Sequence, residues 1–123
     1  MFTDFAARVK KNKLAIQKLI LDIKSHGKSI VGIGAPAKGN TLINYCNLDQ
    51  DLIDYLAEKS ELKIGTFSPG MHIPVIDESR LFKDQPDYAL MLSWNIADEL
   101  IPKIRDKGYR GKFIIPHPKP KII

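Results

Sequence analysis

Between Ser29 and Thr41 a short apolar run breaks into a string of small residues: Ser29-Ile30-Val31-Gly32-Ile33-Gly34-Ala35-Pro36-Ala37-Lys38-Gly39-Asn40-Thr41. Ile30 to Ile33 reads as a buried strand, and the loop opens into an apolar-patterned helix from Thr41 to Cys46. Strand, loop and helix in that order build open α/β sheets, in which ligands gather at the carboxyl ends of the strands. Small residues let backbone N–H groups approach a ligand, and a helix start offers unpaired donors and partial positive charge, which suits phosphate. Lys38 adds a full charge at the same place. Gly32-Ile33-Gly34-Ala35-Pro36-Ala37 also fits the loose dinucleotide pattern G-x-G-x-x-[GA]. Small residues in such a loop serve tight packing equally well, so the pattern alone leaves both roles open.

The rest of the chain bounds the problem. A length of 123 residues suits one domain with a buried core. No run of about twenty apolar residues occurs, so no membrane span is expected. The start, Met1-Phe2-Thr3-Asp4-Phe5, has no basic segment followed by an apolar stretch, so no secretory signal is expected either. One cysteine, Cys46, excludes an intrachain disulfide and a Cys-rich zinc site, and it reads as a packed thiol. The expected compartment is the cytoplasm. The net charge of +5 raises the prospect of nucleic acid or small anions as partners. The early cations, Arg8, Lys10, Lys11, Lys13, Lys18, Lys24 and Lys28, fall on the polar side of a helical pattern with no aromatics among them. A solvated face explains them, and a nucleic-acid stacking platform does not.

Taken in order, Phe5, Val9, Ile16, Leu19, Ile20 and Ile23 recur at helical spacing from Asp4 to about Ser25, with Thr3 or Asp4 as a cap and Gly27 as a stop. Leu52 to Ala57 admits helix or strand, and the doubly wound alternation selects strand. Glu58 at its end stands where dinucleotide folds place a ribose-binding acid; a surface carboxylate beside Lys59 is the plainer reading. A loop with Gly65, Pro69 and Gly70 leads to a strand at His72–Ile76, whose Pro74 predicts a sheet edge or strand start. A short capped helix follows over Asp77–Leu81, then a central parallel strand over Tyr88–Leu92. A helix spans Ile96 to Lys107 with a bend or break at Pro102, and the last central strand is Lys112–Ile115. Pro116-His117-Pro118-Lys119-Pro120 reads as stiff and extended. The fold expected is a Rossmann-like open parallel sheet of about five strands with helices on both faces, residues 28–123, preceded by a long helix over 1–27. The Ile30 strand should lie beside the Tyr88 strand, so that the loops Ala35–Asn40 and Ser93–Asn95 flank one crevice.

Gly34-Ala35-Pro36-Ala37-Lys38-Gly39-Asn40-Thr41 with Asn44-Tyr45-Cys46 resembles the C-terminal domain of S-adenosylmethionine-dependent sugar C-methyltransferases. Asp51-Leu52-Ile53-Asp54-Tyr55, Gly70 to Pro74, Asp87-Tyr88 with Leu90, Trp94-Asn95 with Ala97-Asp98-Glu99, and Gly111-Lys112-Phe113-Ile114 with Pro116 and Pro118 extend the resemblance over nearly the whole chain. Two positions depart from the family's habit. Glu58-Lys59-Ser60 stands where Asp-Arg-Ser is usual, and lysine cannot copy a bidentate arginine contact. Ser93 stands where proline is usual before Trp94.

The resemblance implies a domain that helps to hold a nucleotide-diphosphate keto-sugar while a central domain binds S-adenosylmethionine and supplies the base that removes a proton beside the ketone. It therefore implies no catalytic residue, metal ligand or cofactor within these residues, and a methyltransferase domain as partner in cis or in trans. The substrate site so implied draws on Gly34, Ala35, Pro36, Lys38, Gly39, Asn40 and Thr41 from the first loop. It adds Ser60, Asn95 and, with Asn40, polar groups for hydroxyls; Trp94 as a flat face for stacking; and His72 for a phosphate. Trp94 as a core anchor and His72 as an ordinary packed or surface histidine remain open. So do two other readings of the whole chain. One is a free-standing NAD or coenzyme A module using Gly32, Gly34, Ala37 and Glu58; the other is a docking domain that binds only protein.

Overall fold

The computed structural model describes residues 2–123, with the side chains of Phe2, Thr3 and Phe5 outside the described set. α1 already includes residue 2, so Thr3 and Asp4, expected as its cap, lie inside its first turn, and the expectation that Phe5 packs in the core lies outside the described residues. A six-stranded sheet forms the centre, in the order β3-β2-β1-β4-β5-β6. Its strands are β1 (Ile30–Ile33), β2 (Leu56–Glu58), β3 (Val75–Asp77), β4 (Tyr88–Met91), β5 (Lys112–Ile115) and β6 (Lys121–Ile122). The first five pair in parallel, and β1 lies between β2 and β4 with Ile30 opposite Tyr88 and Ile33 opposite Met91. The doubly wound arrangement is the one expected. The sixth strand corrects the count: the chain turns back after Pro116, and β6 runs antiparallel on β5, with Ile114 opposite Ile122. The proline-rich segment is thus the turn of an edge hairpin instead of an extended exit.

Among the described residues four α-helices cover the sheet: α1 (Phe2–Ser25), α2 (Ala37–Tyr45), α3 (Ser79–Asp84) and α4 (Ala97–Asp106). Strand side chains alternate between the two faces. Ile30, Leu56, Val75, Leu90 and Ile114 pack with Ile16, Ile20 and Ile23 of α1 and Ile43 of α2. Val31, Ile33, Ala57, Ala89, Met91, Phe113 and Ile115 pack with Leu81 of α3 and Ala97 and Ile104 of α4. Each Val, Leu, Ile, Met or Phe side chain among them contributes about 1.5–3 kcal/mol on burial. The contact of α1 with this core starts at Ile16; Val9, expected on the same stripe, is 39% exposed, because the first half of the helix runs past the sheet. Gly27, at φ +73°, ends α1 as expected, with the Lys28 N–H bonded to the Ile23 carbonyl.

Several boundaries differ from the sequence reading. β2 is confined to Leu56–Glu58, because Leu52 and Ile53 turn into the core before the strand begins. β3 begins at Val75; His72 adopts φ +54°, and Pro74 pairs with Phe67 in an antiparallel bridge. Pro74 does stand at the start of an edge strand, as its missing N–H requires. α3 starts at Ser79, whose N–H is held by the Asp77 carboxylate at 2.9 Å, and runs on to Asp84. α4 is unbroken through Pro102 and is preceded by a single 3-10 turn, Trp94–Ile96; its apolar face on the sheet outweighs the lost bond.

Candidate functional site

α2 begins at Ala37 and not at Thr41, so Lys38, Gly39 and Asn40 form its first turn. Pro36 is the capping residue and offers no side-chain hydrogen bond. The first N–H paired inside the helix is that of Asn40, to the Pro36 carbonyl at 3.0 Å. The N–H groups of Ala37, Lys38 and Gly39 thus have no partner inside the helix, at the carboxyl edge of the sheet. Gly39 brings this helix start close to the end of β4, and Gly32 makes room beneath Leu56 and Leu92. A side chain at Gly32 would meet Leu56 Cδ2 at 2.5 Å, and one at Gly39 would meet Leu92 Cβ at 2.7 Å. Both are packing requirements. Gly34 turns the chain at φ +85° beside Ser93, so the seam between the ends of β1 and β4 is closed by these two residues.

The connection from β2 to β3 decides where a ligand can enter. It contains no helix; residues 59–74 form turns and the Phe67–Pro74 bridge. The apolar sides of Leu56 and Val75 are therefore left under a cleft of about 460 Å3, walled by Ala35, Pro36 and Asn40 on one side and by Lys63 to Pro69 on the other. Lys63 Nζ donates to the Ala35 carbonyl at 3.1 Å and ties the two walls together. Asn44 Nδ2 donates to the Pro69 carbonyl at 3.1 Å and does the same further along α2. Phe67 is 60% exposed at the rim. The side-chain oxygen of Asn40 is buried without a partner among the described residues. A buried acceptor of this kind costs free energy until a donor meets it.

The residues expected at a site separate into groups. Ala35, Pro36 and Asn40 line the cleft, and Lys38 stands exposed in the first turn of α2. The Thr41 hydroxyl donates back to the Ala37 carbonyl at 3.1 Å, as mid-helix threonines do. Ser60 donates its N–H to Glu58 Oε1 at 3.2 Å and opens the turn after β2. His72 is exposed near the tip of the Phe67–Pro74 hairpin. Trp94 is half-buried against the α4-side core, with its ring 5.6 Å from that of His117, and Asn95 is exposed in the 3-10 turn. The β1 and β4 loops do adjoin through Gly34 and Ser93, and of Trp94 and Asn40 the cleft beside α2 is lined by Asn40. Lys63 and Phe67 are the residues that sequence reasoning passed over. The density of turn formers around them, Gly65, Pro69 and Gly70, marked a loop without showing that it folds back over β2.

Among the described residues no group of three or more His, Cys, Asp or Glu is arranged to hold a metal ion, and no helix is long and apolar enough to cross a membrane. The family described as the C-methyltransferase C-terminal domain matches residues 1–118. The chain is 33% identical over 123 residues to the C-methyltransferase NovU of Streptomyces niveus, an alignment that takes in 99% of this chain and 29% of that protein.

Proposed function

This chain belongs to the C-methyltransferase C-terminal domain family, and from that premise we propose that it holds a nucleotide-diphosphate keto-sugar for methylation by an S-adenosylmethionine-binding domain. It does so in the cytoplasm, with that domain joined in cis or in trans. The observation that carries the reading is the cleft left where the β2–β3 connection lacks a helix, framed by the uncapped start of α2. N–H groups of Ala37 to Gly39 and the Lys38 charge suit the diphosphate. The unpaired Asn40 oxygen suits an N–H or hydroxyl donor, and the exposed Phe67 ring suits a flat base. The side chains of Ser60, His72, Trp94 and Asn95 would enter from the rim once a second domain closes over this edge. The free-standing NAD or coenzyme A module is not favoured by the family match.

A thermal-shift panel of nucleotide-diphosphate sugars, NAD and coenzyme A tests this, because a ligand of the folded state raises the midpoint. Nucleotide sugars should raise it in the parent chain and less in Phe67→Ala. A folded chain whose midpoint no nucleotide sugar moves overturns the reading.

A further inference from the structure

On the opposite face of the sheet, the carboxyl ends of β1 and β2 open into a second cavity, of about 170 Å3. Its floor is apolar, made by Ile33, Ala57, Leu100 and Ile104, and its rim carries Lys59, Lys103 and Lys107. Two carboxylates also line it, Glu58 and Glu78. Glu58 is engaged by its own loop, through the Ser60 N–H at 3.2 Å. Glu78 is only 17% exposed, and one of its oxygens serves two lysines: Lys107 Nζ at 2.8 Å and Lys59 Nζ at 4.0 Å. Lys103 lies one turn before Lys107 on α4 and has no ion pair among the described residues. The Ser93 hydroxyl, on the same rim, has no hydrogen-bond partner among them.

Two ammonium groups drawn to a single carboxylate oxygen repel each other, and a third at the same concavity adds to the excess. A concave site with a low-dielectric floor focuses such a field. We propose that this cavity is an anion site that takes a phosphate group, held by Lys59, Lys103 and the Ser93 hydroxyl in competition with Glu78, which occupies Lys107. Its size admits a phosphate and a small body attached to it, not a whole nucleotide. The phosphate has two possible sources: one phosphoryl group of the sugar nucleotide, reaching across the Gly34–Ser93 seam from the α2 start, or a separate phosphate ester. The site rests on none of the residues of the α2 cleft except its neighbours at that seam.

The test is a titration of the 15N-labelled 123-residue chain with pyrophosphate at constant ionic strength, followed by amide shifts. Saturating shifts are expected at Gly34, Lys59, Ser93, Lys103 and Lys107. Lys59→Ala and Lys103→Ala should each weaken the affinity about tenfold, the loss of one charge-assisted contact. Glu78→Gln should strengthen it severalfold by removing the competing carboxylate, which separates the site from a chance loss of fold. Shifts that never saturate, shifts confined to Ala37–Gly39, or an affinity unmoved by either lysine variant overturn the proposal. Competition between pyrophosphate and a nucleotide sugar, read at the Lys59 and Lys103 amides, assigns the phosphate to that ligand; simultaneous binding read there assigns it to a separate ester. Failure here leaves the Phe67 thermal-shift result standing, so the two readings fall independently.

Discussion

Gly39 lies so close to Leu92 that a Cβ at Gly39 would sit 2.7 Å from Leu92 Cβ and 3.3 Å from the Leu92 carbonyl oxygen. The start of α2 is thereby pressed onto the end of β4, and the N–H groups of that first turn are held at the sheet's carboxyl edge. Neither neighbouring atom can rotate away. In Gly39→Ala the overpacking costs about 1–3 kcal/mol, and the better helix preference of alanine offsets about 0.5–1 kcal/mol of it. Urea denaturation should therefore give a lower midpoint with an unchanged slope.

Lys38 is exposed and makes no salt bridge among the described residues. Lys38→Ala should leave stability within about 0.5 kcal/mol of the parent. It should weaken nucleotide-diphosphate binding by about 1.5–3 kcal/mol, the loss of a charge-assisted contact. Urea denaturation reads the first arm and calorimetric titration the second, and unchanged affinity in a folded variant removes Lys38 from the site.

Asp87 staples the amino ends of β1 and β4 together. Its carboxylate accepts the Ser29 N–H at 2.9 Å and the Ser29 hydroxyl at 3.2 Å, and the Ser29 oxygen accepts the Asp87 N–H at 3.0 Å. The Ser29 N–H above all, with the hydroxyl and the Lys28 charge, holds the carboxyl below its ordinary value of 3.8. A carboxylate with a lowered folded pKa stabilises the fold above its unfolded value, and that contribution fades as the pH falls through the folded one. The melting temperature of Asp87→Asn should thus lie below the parent's at neutral pH. The gap should close as the pH drops below 3.8. A gap that stays constant down to the acid limit contradicts the ionic part of the staple.

Methyl transfer should be absent from this chain on its own. S-Adenosylmethionine is a sulfonium cation without a phosphate, so it lacks the diphosphate that suits the α2 start and Lys38. Tethered to a donor-binding domain, the chain should raise the rate by orienting the reacting carbon. Incubation with labelled donor and a panel of keto-sugar nucleotides, with and without such a domain, checks this; label transferred by the chain alone contradicts it.

The central strands were legible because burial on both faces leaves a continuous apolar signature, as in Ile30–Ile33, Tyr88–Met91 and Phe113–Ile115. Their order followed from the alternation of elements. The start of α2 was misplaced because Gly39 is a poor helix former, and its reason for being there, the approach to Leu92, is a long-range contact. β6 was hidden because the residues before it are prolines, which mark a turn or an extended run alike. The cleft was the least legible feature. It depends on what the β2–β3 connection omits, and on Lys63 reaching Ala35 across 28 positions of sequence.

β1 is paired along both of its edges, and its Gly32 and Gly34 N–H groups donate to the Tyr55 and Ala57 carbonyls at 2.9 and 2.8 Å. The Gly32 proton lies inside the strand, so its release requires a flanking strand to leave the sheet. Deuterium uptake at Gly32 therefore counts complete unfolding events, while the exposed first half of α1 exchanges by local opening. A molecule that settles at the carboxyl edge slows the Gly32 clock by the factor through which it favours the folded state. The middle of the sheet thus carries a built-in gauge of occupancy at its rim, readable without a label on the ligand.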